Sequence, residues 1–570
     1  MRLLLPAELR AHELLWYLPV GACAAALELA VLGYLRVPFA VNLAVVLVAN
    51  AALVVVALRR AGAPGRPPST AGVAWPVYVA VLVACVALVP MFRAGFATVQ
   101  GFGSDAHLAV GTGHFLKDHA PGEVAPEEPV DQVPLVWRSK PPIYYPMAAV
   151  SSLSGLETWE VFSTLAAIML ALAALGFFLL AREALGAGLA GAAVGMAVVG
   201  LDRVALQVAM HPYYNQIWGF FTLPFAILLA YWAAKARTRG SAVLLAMFLA
   251  VGAFAYPLAV PIPLVALAAL LWPERRRLRG LWHGKRSLLW MVPLALVLAV
   301  PVGGVLEKAA SAIRPVVDTG MSLAAWGGDL DHFIPEHQFV SMPSTSALLI
   351  LGPFLLVALV VELRRQPRTL ALALGGVLLF GVLAAAWFRP RDVGWYFHFK
   401  ALAFVGPLAV LLAAVGVSRL RRFAWVPLTA LVLLAVQGAR DEMAVTFDQT
   451  PRAVVELREV DRRLPPGASV RLDMNPNQQL WGAYFLSGQP LCSIEPITTT
   501  SYPHVRVSRR ADYVVVDRRY SGPPPDSTGP ELWRGEWYGL YRLKASTPGP
   551  ENCSRRMVQT VTAITIPTAR

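Results

Sequence analysis

Apolar residues along this chain come in long blocks with sharp ends. Most are roughly 17–22 residues, the length a helix needs to cross about 30 Å of hydrocarbon. The blocks fall at 15–35, 39–58, 74–92, 160–181, 185–201, 217–234, 241–256, 258–272, 288–306, 346–362, 369–387, 399–417 and 423–437, about thirteen spans. Inside them Ala, Leu and Val run on without the in–out alternation of a barrel strand. A helix satisfies its own backbone groups in lipid, so the pattern predicts a polytopic α-helical membrane protein. Pro257, Pro261 and Pro263 interrupt 241–272, which is therefore expected to be a broken or re-entrant pair.

The loops sort by charge. Arg59, Arg60 and Arg66; Lys235, Arg237 and Arg239; Arg275, Arg276, Arg277, Arg279, Lys285 and Arg286; Arg364, Arg365 and Arg368; and Arg419, Arg421 and Arg422 all fall on one side of the counted spans. Positive charge marks the cytoplasmic side. The N-terminus is thus expected inside and the C-terminus outside, at a cell membrane crossed many times. The first span follows only Arg2 and Arg10 and ends without a small-residue cleavage site, so it reads as an uncleaved helix. The opposite, outer face receives the long, chemically varied segments 93–159, 202–216, 307–345, 388–398 and the tail from 438.

That tail changes the picture from a bare bundle to two parts: a membrane domain over 1–437 and an extracytoplasmic α/β domain over 438–570. Val454, Leu457, Val460 and Leu464 form one helical stripe that Pro465-Pro466-Gly467 stops. Strands are expected at 469–474, 511–517 and 537–543, with a helix through 478–486.

Composition agrees with the span pattern: 57% of residues are hydrophobic and 15% charged, against about 25% charged in a soluble domain. The net charge of +14 would point to nucleic acid in a soluble protein, but here it follows from the basic cytoplasmic loops, and no nucleic-acid partner is expected. Of the four cysteines, Cys23 and Cys85 lie in apolar spans, whereas Cys492 and Cys553 lie in the tail, where an oxidising compartment would allow a disulfide.

Candidate chemistry gathers on the expected outer face. Gly101-Phe-Gly-Ser-Asp-Ala-His-Leu108 holds Asp105 and His107 just beyond the third span. Asp105 is placed to act as a general base on an acceptor hydroxyl or, more simply, to cap the following helix. The same loop ends on Lys140-Pro-Pro-Ile-Tyr144-Tyr145-Pro146. The segment 388–400 carries Arg389, Arg391, His398 and Lys400 where topology asks for no positive charge. These suit a lipid-linked phosphate or, alternatively, lipid headgroups. His211, Tyr213 and Asn215 could line a pocket or form an interfacial aromatic belt. Asp329, Asp331 and His332 could hold a divalent cation, although their spacing is not diagnostic. Asp202 and Arg203 read equally as a surface pair or a site, and Trp481, Tyr484, Trp533 and Trp537 as an acceptor grip or a core.

An acidic residue after an early span, a long outer loop and a Pro-Pro-x-Tyr-Tyr-Pro re-entry together resemble the GT-C superfamily of membrane glycosyltransferases. The resemblance is strongest to the actinobacterial cell-wall arabinofuranosyltransferases. It covers the chain in outline and its motifs lie in 100–146 and 389–400. It implies transfer of a sugar, arabinofuranose in that subgroup, from a polyprenyl-phosphate donor to a cell-envelope glycan, with Asp105 as the catalytic carboxylate. Many members carry two adjacent acidic residues where this chain has Ser104-Asp105, which leaves a role open for Asp118. A lipid-linked glycan transporter or flippase, or a polysaccharide polymerase or ligase, are the other readings. The spans carry few central charges, which weighs against transport.

Overall fold

The computed structural model describes residues 4–61, 71–93, 104–121, 141–211, 213–236, 238–275, 336–340, 342–390, 394–449, 455–474, 481–492 without 483 and 487, and 510–544 without 520. In chain order the helices are α1 (Glu13–Tyr34), α2 (Phe39–Ala61), α3 (Ala71–Ala87), α4 (Val89–Arg93), α5 (Ser104–Asp118), α6 (Pro141–Ser154), α7 (Thr158–Glu183), α8 (Leu189–Gly200), α9 (Arg203–Met210), α10 (Tyr214–Ala236), α11 (Arg239–Ala255), α12 (Pro261–Leu271), α13 (Thr345–Arg365), α14 (Arg368–Phe388), α15 (Gly394–Ser418), α16 (Trp425–Gln449) and α17 (Glu456–Arg463). Every expected span falls on one of these helices except 288–306, which lies outside the described residues.

The molecule is a polytopic helical membrane protein. Among the described residues, seven helical segments are long and apolar enough to cross a bilayer, or eight if α8 and α9, bent by 51° at Leu201-Asp202, count as one span. The apolar helices at Val73–Ala87, Arg239–Ala255 and Pro261–Leu271 are shorter. α7 and α10 form the protein-lined centre, where Phe177, Phe178, Phe221 and Phe225 are fully buried. α2 and α13 instead expose Leu, Val and Ile along most of their length, as a lipid-facing surface requires. The proline-rich 257–263 does break the chain: α11 ends at Ala255, a 3-10 turn covers Pro257–Ala259, and α12 restarts at Pro261.

Two segments expected as loops are helical. α6 opens on Pro141-Pro142, prolines that fit the first turn of a helix, where the N–H has no partner. Its 14 residues bury Ile143, Tyr144 and Tyr145 but rise only about 21 Å, short of a bilayer. α9 is capped by Asp202, whose carboxylate accepts the Val204 N–H at 3.0 Å. Asp202 is fully buried, so the surface-pair alternative for it does not hold.

After α16 the chain enters a five-stranded sheet of order β2-β1-β3-β5-β4, with β1 (Val470–Asp473), β2 (Leu491–Cys492), β3 (Tyr513–Asp517), β4 (Ser527–Arg534) and β5 (Tyr538–Leu543). β2, β1 and β3 are parallel; β5 runs antiparallel to both of its neighbours, β3 and the edge strand β4. Leu457 and Val460 of α17 are buried, as the stripe predicted. Cys492 is disulfide-bonded and Cys23 and Cys85 are free; Cys553 lies outside the described residues.

The sheet domain docks on one end of the bundle. Glu157, which caps α7 in a reciprocal capping box with Glu160, also ion-pairs with Arg458 of α17. Tyr484 hydrogen-bonds Thr158 at 3.0 Å and meets His114 of α5 edge-on at 5.7 Å. Trp481 and Phe485 stack beside it, and Phe485 packs on Trp159. Trp481 and Tyr484 are therefore core at this junction; Trp533 and Trp537 are part-buried against the same core.

Candidate active site

The end of the bundle that carries the sheet domain also gathers polar side chains from segments far apart in sequence. Lys400, in the second turn of α15, is 5% exposed. Its ammonium donates to Gln216 Oε1 at 2.5 Å and lies 3.7 Å from the centre of the Tyr213 ring. Both partners come from the corner that joins α9 to α10. On the same corner Asn215 Oδ1 accepts the Tyr144 hydroxyl at 2.6 Å, while the Tyr144 ring stacks on Tyr214. A buried ammonium over a ring face and against an amide oxygen keeps its charge in a fixed place. It also stands at the N-terminal turn of α10, where free backbone N–H groups favour an anion.

An apolar crevice of about 130 Å³ lies further along the same two helices, lined by Gly219, Thr222, Phe248, Gly252, Tyr256 and Phe404. Gly219 lies three residues after Gln216, and Phe404 four after Lys400, so each shares a helix face with the polar group one turn before it. Lys400 and Gln216 are not part of the crevice lining.

Behind the corner lies a carboxylate that the sequence reading did not single out. Glu442 of α16 is 1% exposed. Its Oε1 pairs with His211 Nε2 at 3.0 Å and its Oε2 accepts Arg203 Nε at 3.2 Å. Arg203 is thus half of a buried ion pair, not of a surface pair with Asp202.

Of the described cations of 389–400, Lys400 stands apart from Arg389 and His398, which share Glu336. Residues two apart on a helix point to different faces, and His398 and Lys400 do so. His398 Nδ1 donates to the Ala385 carbonyl at 3.0 Å, which turns Nε2 toward Glu336 Oε1 at 3.8 Å. Arg389 Nη2 meets the same Glu336 oxygen at 2.7 Å, in a half-exposed pair. Arg391 lies outside the described residues.

ArnT from Cupriavidus metallidurans, in a crystal structure bound to undecaprenyl phosphate, has this architecture. The two align with a TM-score of 0.51 over 85% of this chain and 100% of ArnT, at 15% identity. The chain has the GT-C fold. The arabinofuranosyltransferase AftD from Mycobacteria aligns at a TM-score of 0.49 and 14% identity over 82% of this chain, which spans 40% of the AftD chain. The oligosaccharyltransferase AglB from Archaeoglobus fulgidus aligns at 0.44 and 13% over 78% of this chain and 69% of its own. No protein-family model and no curated protein matches the sequence.

Within this GT-C fold, Asp105 and His107 lie in the first turn of α5; their backbone is described and their side chains are not. Asp118 ends the same helix. Lys140, Asp329, Asp331 and His332 lie outside the described residues. Among the described residues no group of three His, Cys, Asp or Glu side chains is placed to hold a metal ion. Tyr145 turns away from the corner: its ring stacks with Phe39 at 6.1 Å and covers Gly33, where a Cβ would strike its hydroxyl. Tyr144, His211, Tyr213, Asn215 and Lys400 are brought together. Gln216, in the polar run 211–216 read from the sequence as a candidate pocket lining, and Glu442 complete this arrangement, while Glu336 pairs with Arg389 and His398 apart from it. Glu336 and Glu442 were not expected from the sequence; the charged run Arg440-Asp441-Glu442 after an apolar span was the available sign for Glu442.

Proposed function

We propose that this chain is a glycosyltransferase that moves a sugar from a polyprenyl-phosphate donor to a hydroxyl of a cell-envelope glycan on the extracytoplasmic face. The observation that carries the reading is Lys400, a buried ammonium fixed by Gln216 and Tyr213 one helical turn from an apolar crevice. A phosphate on an isoprenoid tail matches both halves, and the tail enters sideways from the bilayer. The undecaprenyl phosphate bound to ArnT is a ligand of this class on the same fold.

In the step itself the acceptor oxygen bonds to the anomeric carbon, whose bond to the phosphate oxygen breaks. The leaving phosphate keeps the electron pair, and Lys400 stabilises its added charge. Asp105, in the first turn of α5, takes the acceptor proton. Five basic loops on the opposite face support an inside N-terminus and an outside sheet domain. The motif pattern of 100–146 favours arabinofuranose as the sugar, which a panel of polyprenyl-phosphate sugars tests directly.

Asp105 is the second residue of α5 and not its cap; Asp105→Asn keeps the side-chain shape and removes a charge whose interaction with the helix dipole is worth only about 0.3–1 kcal/mol, so it separates the catalytic role from a local structural one. With membranes supplied with a polyprenyl-phosphate sugar, the variant should reach wild-type protein levels and lose transfer by at least 100-fold. Unchanged turnover would sink the assignment.

A further inference from the structure

Glu442 performs no step in the reaction just described, yet it is among the most buried carboxylates of the described chain. A buried charge is costly unless paired, and its two partners stand at opposite ends of α9: Arg203 is the first residue of that helix and His211 its C-cap. One carboxylate therefore ties down both ends of an eight-residue helix. A second contact on α16, the Thr446 hydroxyl against Met210 Sδ at 3.6 Å, holds the same end.

Beyond His211 the chain turns directly into the residues that hold Lys400. The His211 and Tyr213 rings lie nearly parallel with centres 6.5 Å apart. Tyr213 supplies the ring under the ammonium, and Gln216 supplies its amide oxygen. We infer that Glu442 is a positioning residue for donor binding: by anchoring His211 and Arg203 it fixes the 211–216 corner, and the corner in turn fixes the Lys400 ammonium where the donor phosphate binds. This rests on the reading of Lys400 as the phosphate-binding cation.

The test is a double-mutant cycle between Glu442 and Lys400 on the full-length protein in nanodiscs, with an undecaprenyl-phosphate titration as the binding probe. Glu442→Ala should weaken binding about tenfold in the wild-type background and by less than twofold when Lys400 is already Met. Coupling of that size is what residues in one network show, and distant sites add independently. Glu442→Gln, which keeps the shape and one acceptor oxygen, should recover part of the affinity. At saturating donor Glu442→Ala should keep kcat within about twofold, so that the loss appears in KM. Should Glu442→Ala weaken binding equally in both backgrounds, the inference is overturned while the Lys400 reading stands. Lys400→Met leaving binding unchanged would remove the Lys400 reading itself. A Glu442→Ala protein that does not fold is replaced in the cycle by Glu442→Gln, read in the same way.

Discussion

Replacing Lys400 by Met keeps the unbranched stem and removes the charge. In the folded protein this forfeits the contacts of the ammonium with Gln216 Oε1 and the Tyr213 ring. A buried amide left short of one bond costs about 1–3 kcal/mol, which a membrane bundle with this much buried aromatic packing should tolerate. The cost to donor binding is larger. A unit charge about 4 Å from a phosphate is worth about 4 kcal/mol at an effective dielectric near 20. Removing one partner of a buried charge pair at a binding site typically costs about 2–5 kcal/mol. Taking about 3 kcal/mol, at about 1.4 kcal/mol per tenfold, affinity for a polyprenyl phosphate should fall by about 100-fold. Arg389, half exposed and facing Glu336, supplies the contrast: Arg389→Gln should cost less than about fivefold, since exposed pairs contribute little. Tryptophan quenching or calorimetric titration in nanodiscs reads both, with thermal unfolding as the check on folding. If Lys400→Met binds within twofold of wild type while Arg389→Gln abolishes binding, the phosphate belongs beside Arg389 and His398 and the argument is wrong.

Two further expectations concern the sheet domain. Tyr484→Phe deletes the buried bond to Thr158 and should loosen docking by about 1 kcal/mol, seen as faster protease nicking between α16 and α17; an unchanged nicking rate would show that this bond does not hold the domain down. In the second, Arg471 is buried between Asp473 and Asp526. Asp526 is held below its ordinary pKa by Arg471, whereas burial raises Asp473 in spite of the same arginine. Arg471→Leu leaves Asp473 buried without its cation, at a cost of about 2–4 kcal/mol near neutral pH. The depressed Asp526 contributes stability present above its unfolded pKa of about 4 and lost as pH falls through its folded value. Protonation also removes the stranded Asp473 charge, so the gap between variant and wild type should close on acidification. Thermal melts at pH 7 and at about pH 3, below the unfolded carboxylate pKa, that show the same gap would refute this account.

The spans were legible because lipid imposes a length on apolar blocks that little else in a sequence imitates. What the blocks could not show were helices that need no bilayer. α9 has eight residues and α6 fourteen; both are stabilised by burial against neighbouring helices, but the apolar run of α9 is too short to count as a span and α6 opens on two prolines. α16 was expected to end at 437, where the apolar run meets Gln437 and Arg440-Asp441-Glu442. Arg and Glu are good helix formers, so the helix continues to Gln449 and delivers Glu442. β4 escaped notice because Gly529 and Pro530 sit inside it; the strand lies at the sheet edge and is irregular between Thr528 and Trp533, the setting in which both residues are tolerated. The basic segment 389–400 was legible as chemistry but not as geometry. Adjacency in sequence suggested one cluster, but helical phase on α15 sends His398 toward Glu336 and Lys400 toward Gln216.

That division bears on how a protein of this fold could select the proposed donor. On that proposal, a polyprenyl tail entering the crevice beside Phe248 and Phe404 would leave acyl chains that are as apolar as the crevice, so no hydrophobic driving force favours the exchange. Packing in the crevice can set the tail's direction, but it adds little net affinity within a bilayer. Selection must then come from the polar end, where the cost of holding a charge out of water is met in advance by Gln216 and Tyr213. Such a site cannot be built from one helix. A lysine free to swing on α15 would lose side-chain entropy with each binding event, about 2 kcal/mol for a fully mobile stem. The structure removes that loss by spreading the support over α9, α10 and α16. The same reasoning explains why the polar groups stand at the bundle's end: there helix termini and the docked sheet domain supply hydrogen-bonding partners that the aromatic centre around Phe221 and Phe225 cannot.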